Sequence, residues 1–387
     1  LRAGAARFLA DHALRTRDAR GAELAARLAP ADADAHFARA WLHTSAGELE
    51  AARRDYARAL ELRPRDYVLW LELGKLHERL GETEAGLGAL VRAAELAPHY
   101  AQPRWQLGNA LLRSGRRAEA AEELRRAAAS DPTLYPNLVE TLWQASGRDP
   151  HALLRDARPQ TPGQTLAVAR LFVKSGAAAE GLKLLRESGA NVPAEERRAL
   201  VADLLAAEEF AAAHEFWSEG RGAGRETFAD AGFEGELRAD EEGFGWRFAR
   251  DAQAVRLSLD PDSPREGAQS LKVEYAGDSE PSSPAVWQLL LVEPGARYRL
   301  TFSARTKELV TGGPPYVSVV SASRSGETLA TFPPLPRATD GWQDFSSEFV
   351  APPAGAVRVL LGRRPCPQSP CPAFGGVWLD AFELKRR

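Results

Sequence analysis

Two stretches decide the reading: LEAARRDYARALELRP, residues Leu49–Pro64, and WLELGKLHERLGETEAGLGALVRAAELAP, residues Trp70–Pro98. Each ends with a small residue five positions before a proline, Ala59 before Pro64 and Ala93 before Pro98. Ala25 with Pro30 and Ala127 with Pro132 repeat that spacing, so the prolines follow one another at intervals of 34 residues. Gly47, Gly81 and Gly115 keep the same interval. A small residue where helices touch, a glycine at the turn and a proline where a helix pair ends together specify a helix-turn-helix solenoid.

Working outward, the whole chain has 387 residues, more than one compact core accommodates, so two or three domains are expected. Hydrophobic residues make up 44% and charged residues 27%, with a formal net charge of -3, the balance of a globular chain. No apolar run approaches the roughly 18 residues of a membrane span. The charge offers none of the concentrated basic footprint that nucleic acid requires. The chain begins at Leu1 and has no Met, from which a signal peptide or N-terminal anchor preceding it is expected. The two cysteines lie in Cys366-Pro-Gln-Ser-Pro-Cys371, and all seven histidines lie at or before His214, so no neighbouring His completes a zinc site. A disulfide closing this Pro-rich loop is the preferred reading and implies an oxidising compartment, periplasmic, secreted or cell-surface; a pair of reduced surface thiols is the alternative.

The spacing Ala52, Tyr56, Ala59, Pro64, followed by Trp70, Leu73, Gly74, Gly81, Leu90, Ala93 and Pro98, and then by Leu107, Gly108, Gly115, Ala120, Leu124, Ala127 and Pro132, resembles the tetratricopeptide repeat. His43 and His77 take the Tyr position of successive units and are read as packing residues, not ligands. The resemblance implies that the first helix of each unit lines a groove for a protein partner or for self-association. Its wall would carry Phe37, Trp41, Leu71, Lys75, Arg79, Trp105, Asn109 and Arg113. Beyond Pro132 the register fails but apolar stripes continue, with Pro136, Pro150, Pro162 and Pro193 near helix starts. Residues 1–134 are thus expected to be tetratricopeptide repeats, and 135–219 degenerate hairpins that extend and cap the solenoid. The segment 220–225, rich in glycine, reads as a linker, since it follows a helix and precedes a strand, the reverse of a phosphate loop.

From Glu226 the apolar period becomes two: Val255, Leu257 and Leu259; Leu271, Val273 and Tyr275; Tyr298, Leu300, Phe302 and Ala304; Val357, Val359 and Leu361. Short alternating strands between Pro, Gly and Ser clusters predict an antiparallel β-sandwich over 226–387, so the fold class is multidomain α + β. Asp230-Ala-Gly-Phe-Glu234, Gly267-Ala-Gln-Ser-Leu271, Val286-Trp-Gln288, Trp342 and Val377-Trp-Leu-Asp380 with Phe382 and Leu384 resemble the jelly-roll, galactose-binding-like carbohydrate-binding modules of families four and nine. That resemblance implies polysaccharide binding, for which Trp246, Trp287, Tyr316, Arg299 and Arg358 are the candidates. Related jelly rolls hold a structural calcium at the positions of Glu234 and Asp380, and an Asp380 held by hydrogen bonds alone is the alternative; apart from this, no cofactor is expected. Trp378, Asp380, Phe382 and Leu384 share one parity, so Asp380 is expected on the same face as three apolar side chains.

No catalytic constellation emerges. The sandwich holds no His, and neither G-x-S-x-G, H-E-x-x-H nor a phosphate-loop motif occurs. The acidic run at Asp240, Glu241 and Glu242 reads as a solvated loop. The expectation is a non-enzymatic, extracytoplasmic adaptor of bacterial type, holding a protein through the solenoid and polysaccharide through the sandwich, in exopolysaccharide assembly or at the cell surface. The alternative is a structural subunit of a larger assembly or fibre with no glycan ligand.

Overall fold

The computed structural model describes residues 2–189, 192–219, 224, 226–238, 241, 243–248, 254–278, 281 and 283–387. Most of the proposed linker, 220–223 and 225, and Asp240 and Glu242 of the acidic run therefore lie outside the described residues. The chain divides into two compact units, Leu1–Leu171 and Phe172–Arg387.

The first unit contains the antiparallel helices α1 (Arg2–Thr16), α2 (Ala19–Leu28), α3 (Ala33–Ala46), α4 (Leu49–Leu62), α5 (Tyr67–Arg79), α6 (Thr83–Leu96), α7 (Ala101–Arg113) and α8 (Arg117–Ser130). It continues through α9 (Tyr135–Ala145), α10 (Pro150–Ala157) and most of α11 (Pro162–Lys174). The 34-residue period is written into its caps. Asp32 and Asp66 accept the backbone N–H of Asp34 and Val68 at 3.0 Å, satisfying donors at the starts of α3 and α5. Gly47, Gly81 and Gly115 adopt φ of 80°, 77° and 77°, the left-handed conformation that ends a helix without a Cβ penalty. The prolines have a further role. The carbonyls of Pro30, Pro64 and Pro98 each face the side-chain nitrogen six residues on, His36 Nε2 at 3.0 Å, Trp70 Nε1 at 2.9 Å and Arg104 Nε at 3.3 Å. Ala25, Ala59, Ala93 and Ala127 are fully buried where the helices meet. His43 and His77 each bridge the turn of their own hairpin, Nδ1 lying 2.5 Å from Glu48 Oε2 and Glu82 Oε2.

The second unit begins within α11 and includes α12 (Ala178–Ser188), α13 (Ala194–Ala206) and α14 (Phe210–Ser218). Its strands are β1 (Arg247–Phe248), β2 (Val255–Asp260), β3 (Ser270–Asp278), β4 (Val286–Leu291) and β5 (Arg297–Thr311). They are followed by β6 (Pro315–Ser321), β7 (Thr328–Thr331), β8 (Gln343–Val350), β9 (Ala356–Arg363) and β10 (Pro372–Arg386). They form two antiparallel five-stranded sheets, ordered β1-β4-β9-β6-β7 and β2-β3-β10-β5-β8. From β3 to β6 and from β7 to β10 successive strands alternate between sheets, the connectivity of a jelly roll. Leu271, Val273, Tyr298, Leu300 and Phe302 from one sheet meet Val286, Leu290, Val317, Val319, Val357 and Val359 from the other in one core.

Architecture and packing divide this chain at different points. Helix gives way to strand after α14, but α14 packs on β4, so the last helices belong to the same compact unit as the sandwich. Trp217 and His214 of α14 contact Phe244 at ring separations of 5.6 and 4.9 Å, and Trp217 Nε1 donates to Glu241 Oε1 at 2.7 Å. At the other end of the helix pair, Glu208 Oε1 accepts the Arg324 N–H from the β6–β7 turn at 3.0 Å. Leu289 and Leu291, on the face of β4 turned away from the sandwich core, are consequently buried.

Candidate functional site

In the first unit the repeat places the expected groove residues in rows. Phe37, Leu71 and Trp105 occupy one repeat position, and Trp41, Lys75 and Asn109 the next position on the same face, one turn on. Trp41, Lys75, Trp105 and Asn109 are half-buried, while Arg79 and Arg113 are exposed. The two arginines stitch successive first helices together: Arg79 Nη1 donates to the Thr44 carbonyl at 2.8 Å and Arg113 Nη2 to Glu78 Oε1 at 2.6 Å. Lys75 pairs with Glu72 at 2.7 Å. Phe37 turns partly inward, its ring edge-on to Tyr56 at 6.1 Å. Leu71 differs from expectation: it is 1% exposed within the apolar cluster of α5, α6 and α7, because small residues at Gly74, Ala93 and Ala110 let those helices close over it.

In the second unit the register brings three of the five glycan candidates onto one surface. Trp287 stands opposite Leu360, Leu289 opposite Arg358, Tyr316 opposite Gly362 and Val320 opposite Arg358. Directly paired residues share a face, so Trp287, Tyr316 and Arg358 all project from the outer side of the β1-β4-β9-β6-β7 sheet. Ser318 and Thr331 lie beside them, and on the strand between the two rings Leu360 stands next to Trp287 and Gly362 next to Tyr316. With β9 between β4 and β6, the strands carrying Trp287 and Tyr316 are about 10 Å apart. Arg247, opposite Trp287 on β1, places its guanidinium carbon 5.6 Å from the Trp287 ring centre. None of the paired positions on this face is acidic. Arg358 Nε is buried without a hydrogen-bond partner, and the cross-strand neighbours of Arg358 are apolar. Leu289 and Leu291 of this face lie under α14. The part left open carries the two half-exposed rings, with Arg358 at its margin and, among the described residues, no ion-pair partner for Arg358.

The other two candidates lie elsewhere. Trp246 is 7% exposed, stacked on Phe233 at 4.7 Å and Phe228 at 5.6 Å, and its Nε1 donates to the Asp230 carbonyl. It belongs to the core cluster, with Phe228, Phe233 and Phe382 around its ring. Arg299 lies on the outer face of the second sheet, paired with Glu348 at 2.7 Å. The neighbouring cations there are also paired, Lys272 with Glu274 and Arg305 with Asp260. Arg247, Ser318 and Thr331 were not anticipated: β1 is two residues long, too short for alternation to be read, and no sequence signal pairs β6 with β9.

Glu234 and Asp380 do meet. A Cβ added at Gly232 would lie 3.5 Å from Asp380 Oδ1 and 3.8 Å from Glu234 Oε1. The expected parity of the last strand, however, is broken. Ala381 has φ of 53° and the pairing with β5 shifts between Asp380 and Glu383, a bulge that turns Phe382 into the core while Trp378 and Asp380 face out. Asp380 is nevertheless fully buried, under the β2–β3 loop. Its Oδ2 accepts the N–H groups of Arg265 and Glu266 at 2.8 and 3.2 Å, and its Oδ1 that of Ala381 at 2.7 Å. Glu234 accepts the Ala268 N–H with both oxygens at 3.0 Å. Burial pushes the Asp380 carboxyl above the usual carboxylate range, against the opposing pull of its N–H donors.

Both carboxylates accept N–H groups, and among the described residues no cluster of three acidic, His or Cys side chains forms, so we propose that hydrogen bonds alone hold them. The protein is therefore expected to show the same melting temperature in excess EDTA and in millimolar calcium. A rise of several degrees with calcium, reversed by chelation, would overturn this reading of the carboxylates.

The family model for the tetratricopeptide repeat matches residues 33–66. Among solved structures, PilF of Pseudomonas aeruginosa is 21% identical with a TM-score of 0.35, over 51% of this chain and 97% of its own. MamA of Desulfovibrio magneticus RS-1 is 15% identical with a TM-score of 0.33, over 48% of this chain and 92% of its own. A CBM4 structure is 12% identical with a TM-score of 0.31, over 41% of this chain and 99% of its own. No curated protein matches.

Proposed function

We propose that this protein is a non-enzymatic extracytoplasmic adaptor, whose repeat helices hold a protein partner and whose sandwich binds an acidic polysaccharide. The observation that carries the glycan half is the outer sheet face with Trp287, Tyr316 and Arg358. Two rings about 10 Å apart provide stacking surfaces for successive sugar rings. An arginine with no counterion among the described residues, on a face with no acid at its paired positions, favours a carboxylate or sulfate on the ligand. The protein-binding half rests on the tetratricopeptide match and on the half-buried aromatic and polar residues along α3, α5 and α7. The closed Cys366–Cys371 disulfide supports an oxidising compartment.

Affinity electrophoresis of the full chain through gels containing neutral or acidic polysaccharides tests the glycan half. Retardation is expected in at least one acidic gel. It should weaken about tenfold or more on Trp287→Ala or Tyr316→Ala, as for a central aromatic contact, and be unaffected by Arg299→Ala. Retention by no polysaccharide, or retention indifferent to both aromatic substitutions, would leave the sandwich as a structural module.

A further inference from the structure

The edge of the sandwich where β5 and β9 end and β10 begins carries chemistry that glycan binding does not use. Arg363, at the end of β9, is 5% exposed. Its Nε donates to the Gly313 carbonyl at 3.2 Å, and its Nη2 to Thr311 Oγ1 at 2.9 Å and the Cys371 carbonyl at 2.7 Å. The same Nη2 lies 3.3 Å from Cys371 Sγ. The disulfide is asymmetric as a result. Cys371 is 6% exposed and touches a buried guanidinium, while Cys366 is half-exposed. The other ionisable groups facing Cys371 are Asp278, whose Oδ1 accepts the Cys371 N–H at 3.2 Å, and Tyr275, whose ring lies 5.8 Å from the Arg363 guanidinium carbon. Glycines approach both sulfurs: a Cβ at Gly313 would be 3.0 Å from Cys371 Sγ and one at Gly312 3.1 Å from Cys366 Sγ.

We propose that Cys366 is a site of reversible thiolation, at which a low-molecular-weight thiol opens the disulfide and Cys371 departs as a thiolate held by Arg363. The incoming thiolate attacks Cys366 Sγ, the sulfur of the half-exposed cysteine. A new S–S bond forms to Cys366 as the Cys366–Cys371 bond breaks, and its electron pair remains on Cys371 Sγ. The incoming thiol has already lost its proton to solvent, so none moves in the step. Exchange is faster the lower the pKa of the departing thiol, and a neighbouring cation lowers it. Because Cys371 stays anchored through its backbone to Asp278 and Arg363, it can attack the mixed disulfide and expel the thiol without another partner. Sequence alone gave two cysteines in a loop; Arg363 is what distinguishes one from the other.

The test uses the full chain and reduced glutathione as the thiol, with quenching by N-ethylmaleimide and fragment mass spectrometry of the peptide containing both cysteines. Species carrying glutathione on Cys366 and maleimide on Cys371 should outnumber the reverse by about tenfold. Equal or reversed labelling, or a disulfide that excess glutathione leaves wholly intact, would overturn the proposal. In the Cys366→Ser variant the remaining Cys371 thiol, followed by thiolate ultraviolet absorbance, should titrate about one pH unit or more below the ordinary value near 8.5. Titration at or above that value would also overturn it. If that variant does not fold, the labelling of the unaltered chain decides the matter alone.

Discussion

Replacing Asp55 with alanine should destabilise the first unit by about 3–5 kcal/mol, the range expected when one partner of a buried ion pair is removed. Asp55, on α4, is 6% exposed. Arg39 of α3 grips it with two nitrogens, Nε at 2.9 Å and Nη2 at 2.5 Å, and extends a third to Glu23 of α2 at 3.0 Å. The Asp55 hydrogen bonds raise the Arg39 guanidinium further above its ordinary range. One carboxylate thus links three helices through one arginine, and its loss leaves the half-buried Arg39 with Glu23 alone. The double variant Arg39→Leu with Asp55→Leu removes both charges and should cost less than Asp55→Ala alone. Guanidinium unfolding of the full chain, followed by helical circular dichroism, measures both. A single-variant loss below about 1 kcal/mol would show that the pair contributes no more than a surface salt bridge.

Trp217→Ala has the second large expected effect, about 3–5 kcal/mol from the second unit, the usual cost of emptying a large aromatic site. Trp217 is 8% exposed and sits against Phe244, and the turn that receives it is shaped to its ring. A Cβ at Gly243 would lie 2.0 Å from Trp217 Cδ1, so only glycine permits this approach. Glu241 Oε1 accepts both the Trp217 indole N–H and the Gly243 N–H at 2.7 Å, so the truncation also unties the turn. The melting temperature of this unit should fall by roughly 6–20 °C, and Trp217→Phe should recover part of the loss. An unchanged melting temperature would mean that α14 and the sandwich are independent.

These two sites mark the limits of what the sequence discloses. Period and punctuation are local properties, so Pro30, Pro64 and Pro98, the Asp32 and Asp66 caps and the left-handed glycines predict the helical hairpins directly. Alternation equally predicts which residues of β3, β5 and β9 face the core. Neither says which strand lies beside which. That Trp287 and Tyr316 share a face depends on β9 inserting between β4 and β6, a long-range pairing with no local signature. The packing of α14 on β4 is likewise a tertiary choice, invisible in the helical pattern of Phe210, Phe216 and Trp217. The Asp380 parity failed for a local reason that is also hard to read: one extra residue at Ala381, unmarked by glycine or proline, turned Phe382 to the opposite face. Asp230 shows the converse, a departure from the family motif that chemistry tolerates. Its two oxygens accept the N–H groups of Glu234 and Gly235 at 2.6 and 3.0 Å, and a carboxylate does this with both atoms.

The central claim, that ligand meets the outer face of the β1-β4-β9-β6-β7 sheet, is tested most directly by hydrogen–deuterium exchange of the full chain with and without the acidic polysaccharide that retards it most. Protection is predicted in 286–291, 315–321 and 356–363, the strands carrying Trp287, Tyr316 and Arg358, with 297–304 on the opposite sheet unchanged. Protection confined to the opposite sheet, or none on any of these strands, would contradict it.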